Sequence, residues 1–146
     1  MSGVFLLDVN VLIAAAWPTH QAHENVQQWL GRHARHGWAT CPFTQCAFVR
    51  IVSNPVFSPN ALTPAEGLTL LQANLSHPAH RFWEDDLSLA EAVEAFSGKI
   101  AGHRQVSDAY LLGLATHKNG KLATLDRSVL ALLPDRSAER ERIALI

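Results

Sequence analysis

Three aspartates stand where short apolar runs end or a helical stretch begins. Val4-Phe5-Leu6-Leu7 runs into Asp8, Leu122-Ala123-Thr124-Leu125 runs into Asp126, and Val106-Ser107-Asp108 opens an apolar helical stretch. Strands of a parallel sheet aim their carboxyl ends at a common crevice, where ligands bind. Carboxylates at two such ends, with a third at a helix start, crowd one small volume. Like charges that close repel, and one protonates unless a cation sits among them. All-oxygen clusters suit hard divalent ions, Mg2+ with Mn2+ as a substitute. The chemistry these residues point to is metal-assisted attack on a phosphate ester. Asn10, two positions after Asp8, is placed to orient a water or a phosphate, although Asx residues at helix starts also act simply as caps.

The elements that must position these side chains alternate between strand and helix. Residues 4–8 read as a short buried strand and 10–16 as a helix interrupted at Trp17-Pro18. A longer helix over about 19–35 carries Ala22, Val26, Trp29 and Leu30 on one face, with Gly37 just beyond it. Trp38–Cys41 reads as a second strand, followed by a helix over 43–53 with Phe43, Ala47, Val49 and Ile51 mostly inward. Thr63-Pro64-Ala65-Glu66 and Ser88-Leu89-Ala90-Glu91 are capping boxes that open helices over 64–75 and to about residue 97. Between them Arg81-Phe82-Trp83 is a third strand. A helix from Ser107 ends at Gly120, a fourth strand covers 121–125, a turn and short helix cover 126–133, and Ile143–Ile146 reads as an edge strand. Short strands alternating with helices imply parallel pairing. The expected fold is a single-domain (residues 1–146) three-layer α/β/α sandwich around a central parallel sheet.

Composition agrees with a folded domain. The chain has 146 residues, 48% of them hydrophobic and 17% charged, enough to build a core. No apolar run approaches the roughly 18 residues of a membrane span, and the start of the chain carries no secretory pattern, so the expected location is the cytoplasm with no membrane partner. A net charge of −1 argues against broad nonspecific nucleic-acid binding, which needs a basic surface. Any positive charge for such a ligand must be local, or be supplied by a metal or partner. Cys41 and Cys46 form no CxxC pair and read as reduced, packed thiols.

With these residues in hand, the chain resembles the PIN-domain family, and within it the VapC-type toxin ribonucleases of type II toxin–antitoxin pairs. The resemblance rests on Leu6-Leu7-Asp8-Val9-Asn10-Val11-Leu12-Ile13, Trp38–Pro42, Phe48-Val49-Arg50, Phe82–Asp86, Gln105–Leu112 and Leu122–Asp126. Any one segment is weak; together they span nearly the whole chain. The resemblance implies a Mg2+-dependent endoribonuclease acting on tRNA, rRNA or mRNA, a cognate antitoxin and a homodimer. It implies Asp8 and Asp108 as main metal ligands, Asp126 completing the acidic pocket, and Thr124 as a hydroxyl near the site. One departure stands out. The family's second acid lies on the helix after the second strand, yet no Glu or Asp occurs from residue 25 to 65. Gln45 is the occupant the resemblance implies, and it carries no charge. Metal affinity is then expected to be weaker than with an acid there, and Gln45→Glu to tighten it.

Several other residues carry two readings each. Arg50, on the helix of Gln45, suits an RNA phosphate contact or an ion pair; Arg104, Lys118, Lys121 and Arg127 suit phosphate contacts or plain surface charge. Glu84-Asp85-Asp86 either sends one carboxylate to the crevice or forms a solvated loop before the Ser88 cap, the loop being favoured. The histidine pairs His20/His23 and His33/His36 have a zinc-compatible spacing but no third ligand, so a solvated helix face is the better reading; His103 reads as a loop residue. Trp17 and Phe57 are the aromatics suited to stacking on unpaired bases or anchoring a partner helix. Two rival functions remain open. A binding module that has lost catalysis through Gln45 is separated by a cleavage assay. A phosphotransferase or phosphatase using Asp8 as nucleophile generally needs an acid where Asn10 stands. The sequence does not rank Asp108 against Asp126 as proton acceptor.

Overall fold

A computed structural model describes residues 3–146. Five short strands, β1 (Phe5–Leu7), β2 (Trp38–Thr40), β3 (His80–Phe82), β4 (Lys121–Thr124) and β5 (Ile143–Leu145), form one sheet in the order β3-β2-β1-β4-β5. Every adjacent pair is parallel. The helices are α1 (Val9–Ala16), α2 (His23–His33), α3 (Pro42–Val52), α4 (Pro64–Leu75), α5 (Leu89–Val93) and α6 (Arg104–His117). The chain winds from β1 outward to β3, then crosses back to place β4 on the other side of β1. The strand order therefore reverses between β1 and β4, and ligand crevices of open α/β sheets form at such a switch.

Alternation along each strand divides the core. Leu6, Ala39, Leu122 and Ile143 face α6 with Leu111, Leu112, Leu114 and Phe96. Leu7, Trp38 and Ala123 face α1–α4 with Leu12, Ile13, Val26, Phe48 and Leu71. Both sheet faces are covered, as parallel sheets require, and the expected three-layer sandwich is the observed one. Gly113 lets α6 approach the crossover: a Cβ there would lie 1.9 Å from the Ala92 carbonyl oxygen. Gly37, at φ +116°, turns the chain into β2 in a conformation that L side chains rarely adopt.

The differences from the sequence reading lie at element boundaries. The Thr63 capping box forms with Glu66 as expected. The Ser88 helix is shorter: α5 stops at Val93 and continues as a 3₁₀ segment over Glu94–Lys99. α2 starts at His23, after a turn in which His20 Nδ1 accepts from the Ala22 N–H. α6 starts at Arg104, so Asp108 lies in its second turn rather than at its start. Phe43 is exposed (38%) rather than inward, because Ala47, Phe48 and Val52 take the buried face of α3. Cys41 is buried, but Cys46 is exposed and not packed.

Candidate active site

Asp8 leaves the carboxyl end of β1 and caps α1. Its Oδ1 accepts from the Val9 N–H at 2.7 Å and its Oδ2 accepts from the Thr124 hydroxyl at 2.8 Å. The cap reading and the site reading are thus both true of one side chain. Asp8 is 6% exposed and Thr124 fully buried. Burial pushes the Asp8 carboxyl up, and the Asp126 charge adds to that rise, while the bonds from Thr124 and Val9 oppose it. Thr124, the last residue of β4, also accepts from the Asp126 N–H at 3.1 Å. One hydroxyl therefore joins the ends of β1 and β4 across the switch point. Asp126 caps the following 3₁₀ turn through Ser128 N–H at 2.9 Å.

Asp108 comes from α6, which covers this face of the sheet. Its carboxyl is pushed up to about 6, first by burial and then by the negative charges of Asp8 and Asp126. A carboxylate raises its neighbour only when both share a poorly screened volume. The three aspartates singled out in the sequence thus lie at the ends of β1 and β4 and in the second turn of α6, where their charges act on one another. Among the described residues, however, no three His, Cys, Asp or Glu side chains close into a metal cage. The three carboxylates are coupled by charge, without a closed ligand set. Such an arrangement fits Mg2+, which keeps several waters and takes only one or two protein carboxylates, and does not fit an ion that demands a closed set.

The remaining candidates divide. Asn10 lies exposed in the first turn of α1. Gln45 is turned to a different neighbour: its Nε2 donates to the Thr40 hydroxyl at 3.0 Å, and Thr40 Oγ1 lies 2.7 Å from His80 Nε2. His80 is held on its other side by the Leu75 backbone, and burial first of all lowers its pKa. A neutral imidazole accepts the Thr40 proton, so a chain of neutral donors runs from Gln45 through Thr40 to His80. Arg50, Arg104 and Arg127 are exposed, and Lys121 is half-buried; none has a carboxylate within ion-pair distance among the described residues. The ion-pair reading of Arg50 is therefore not realised. Lys118 pairs with Asp86 at 3.0 Å and is already spent.

Asp85 does more than sit in a solvated loop. Its two oxygens accept from the Phe43 N–H at 3.2 Å and the Tyr110 hydroxyl at 2.7 Å, tying α3 to α6. A carboxylate three residues past a strand was the only available signal, and it did not reveal which helix would be capped. Trp17 and Phe57 pack edge to face on each other, centroids 5.1 Å apart, so they are mutual partners rather than two open stacking faces. His23 holds the Ala14 carbonyl at 2.7 Å and His33 stacks on Trp29; both are structural. A cleft of about 720 Å3 lies between α1, α2 and α4, with apolar Leu12, Ala15 and Leu30 and polar Gln27, Arg35 and Asn74 in its lining. No helix among the described residues is long and apolar enough to cross a membrane.

The chain is similar to known proteins. The PIN domain family matches residues 5–132. Ribonuclease VapC38 of Mycobacterium tuberculosis is 42% identical over 131 residues, 90% of this chain and 91% of that protein. Ribonuclease VapC39 of the same species is 40% identical over 124 residues, 85% and 89% of the two chains. Ribonuclease VapC44 is 34% identical over 141 residues, 97% and 98%. A crystal structure of VapBC2 from Rickettsia felis, bound to a DNA fragment from its promoter, superposes with a TM-score of 0.62 at 15% identity, covering 98% of this chain and 97% of that one.

Proposed function

The chain belongs to the PIN-domain family and to its VapC branch, and from that premise we propose that it is a toxin endoribonuclease that hydrolyses RNA phosphodiester bonds with Mg2+ and is silenced by a cognate antitoxin. The observation that carries this reading is the junction at the β1/β4 switch, where the Thr124 hydroxyl donates to Asp8 and accepts from the Asp126 N–H and the charges of Asp8 and Asp126 help to raise the Asp108 carboxyl. A site that concentrates negative charge on itself is poised for a cation. Mg2+, when bound, supplies Lewis acidity toward the phosphoryl oxygen and acidifies the attacking water.

The protein's own groups do the rest. Asp8 and Asp108 are the proposed ligands, with Asp126 completing the acidic pocket. Thr124 fixes the Asp8 carboxylate by donating to Oδ2. Asn10, exposed on the first turn of α1, is placed to orient water or phosphate. Arg104 and Arg50, exposed and free of carboxylate partners, are proposed phosphate contacts. The antitoxin is proposed to lay an amphipathic segment along the cleft between α1, α2 and α4 and to send a basic side chain toward the aspartates. A homodimer and a cytoplasmic location accompany this reading.

Gln45 favours a second reading, a catalytically weakened RNA- or antitoxin-binding module, because its amide is hydrogen-bonded to Thr40 and brings no charge. One experiment separates the two. Purified protein is incubated with a pool of RNAs in Mg2+, in Mn2+ and in EDTA. Metal-dependent cleavage lost in Asp8→Asn and Asp108→Asn is the expected result. RNA retention without cleavage in either metal would establish the binding module.

A further inference from the structure

The opposite edge of the sheet, where the strands begin, carries a row of basic side chains that the site described above does not use. Arg81 folds back from β3 toward the start of its strand. Its Nη1 donates to the Pro78 carbonyl at 3.0 Å and to the His80 carbonyl at 3.1 Å. Its stem lies over Gly37, the residue before β2, where an added Cβ would stand 3.3 Å from Arg81 Cγ. The His36 ring lies over Gly3 in the same way, 3.1 Å from the place of a Cβ, beside the entry to β1. Lys121 opens β4. One step before the Leu122–Ile143 pair, it stands opposite Arg142, whose Nη1 donates to the Gly120 carbonyl at 3.3 Å. The row crosses the sheet from β3 to β5, a width of about 19 Å at about 4.8 Å per strand.

The charge of this row is left over. Among the described residues, no carboxylate lies within ion-pair distance of Arg81, Lys121 or Arg142, while Asp86 and Asp135 are taken by Lys118 and Arg140. Backbone carbonyls fix the two guanidinium groups without neutralising them, and a pre-placed guanidinium fork suits phosphate. The other edge of the sheet has the reverse character, since Asp8, Asp108 and Asp126 repel a polyanion. In a chain of net charge −1, attraction for RNA must come from a local basic surface. We propose that the row of Arg81, His36, Lys121 and Arg142 is a second docking surface for the RNA, holding backbone phosphates away from the bond that is cut. The inference rests on the ribonuclease reading and adds to it a contact surface outside the acidic site. Lys121 and Thr124 are the first and last residues of β4, about 10 Å apart, so both edges are within reach of one RNA molecule.

Binding of poly(U), followed by fluorescence anisotropy over a series of salt concentrations, tests the surface. EDTA is present, so that no bond is cut. For single strands, log affinity falls with log salt by about 0.7 for each phosphate contact. Lys121→Gln/Arg142→Gln is therefore expected to make that slope shallower by about 1.4 and to weaken binding roughly tenfold at physiological salt. Lys121 makes no side-chain hydrogen bond among the described residues, so Lys121→Gln alone removes charge without disturbing a bond. It is expected to give about half the change in slope. Lys121→Arg/Arg142→Lys keeps both charges and is expected to bind as the wild type does. An unchanged slope in both Gln variants would overturn the surface. So would an equal loss in the charge-keeping variant, or a wild type that does not bind poly(U). Cleavage in Mg2+ is scored separately: if the wild type and variants bind as stated but no RNA is cut, the surface stands and the ribonuclease reading falls.

Discussion

Two buried threonines end two strands of the same sheet, and they serve opposite chemistry. Thr124 closes β4 and Thr40 closes β2; both are fully buried. The Thr124 hydroxyl donates to the Asp8 carboxylate and accepts from the Asp126 backbone. The Thr40 hydroxyl joins a side-chain amide and an imidazole. The first threonine holds charges that repel; the second completes a chain of neutral groups with nothing left over. The carboxyl edge of the sheet thus has a charged half over β1 and β4 and, over β2 and β3, a half in which the Thr40 network is neutral and the Asp85 carboxylate is taken up by the Phe43 N–H and the Tyr110 hydroxyl. The proposed chemistry belongs to the half where three carboxylates act on one another. A strand-end threonine is by itself no mark of a catalytic site; what it bonds to decides.

Breaking the charged half should have the largest effect. Asp8→Asn or Asp108→Asn is expected to lower RNA cleavage by roughly a thousandfold or more, since a catalytic metal contributes several kcal/mol of transition-state stabilisation. Circular dichroism should show both variants folded, because each removes a repelling or buried charge. Thr124→Val comes next. It leaves Asp8 without one of its two hydrogen bonds, and loss of a group that orients a ligand typically costs 10–100-fold in metal affinity or activity. Calorimetric titration with Mg2+ checks this, and unchanged affinity would show that the Thr124 hydroxyl does not set the carboxylate.

The neutral half should answer in stability rather than rate. Thr40→Val removes both the acceptor for Gln45 and the donor to His80, and is expected to cost about 1–3 kcal/mol in urea unfolding while cleavage stays within about twofold. Gln45→Glu replaces a donor with an acceptor opposite Thr40, whose single proton already goes to His80. A loss of about 1 kcal/mol is expected. The same variant, titrated with Mg2+, also measures whether a carboxylate at position 45 strengthens the charged half.

A smaller effect concerns pH. The Asp108 carboxyl lies at about 6 against an ordinary 3.8. The folded protein holds that proton more tightly than the unfolded chain. The stability this gives is present below about pH 4 and is lost as pH rises toward 6. Without metal, Asp108→Asn should therefore gain on the wild type between pH 4 and 7. Discounted for partial exposure, the gain is on the order of 1 kcal/mol, a rise of about 2–4 °C in Tm relative to wild type.

The charged half was legible in the sequence because strand ends leave a local pattern: a short apolar run stopping at an aspartate. That pattern found Asp8 and Asp126 and, through the apolar helix, Asp108. It found Thr124 only through family resemblance, since a threonine in a strand looks like any β-branched residue. The other half leaves no such pattern: Thr40 looks like any strand residue, and nothing local ties it to His80, or Asp85 to Phe43 and Tyr110. The start of α6 was misplaced because Arg104 and Gln105 carry no apolar periodicity. Cys46 and Phe43 were read as buried from their residue type, whereas the face of α3 against the core belongs to Ala47, Phe48 and Val52.

The central claim is that Asp8, Asp108 and Asp126 share one charge environment. The most direct test is a carboxyl-carbon NMR titration of Asp108 in metal-free protein, repeated in Asp8→Asn and Asp126→Asn. A midpoint near 6 in the wild type, moving toward the ordinary aspartate range in both variants, is the predicted result. A midpoint near 3.8 in all three proteins would contradict it.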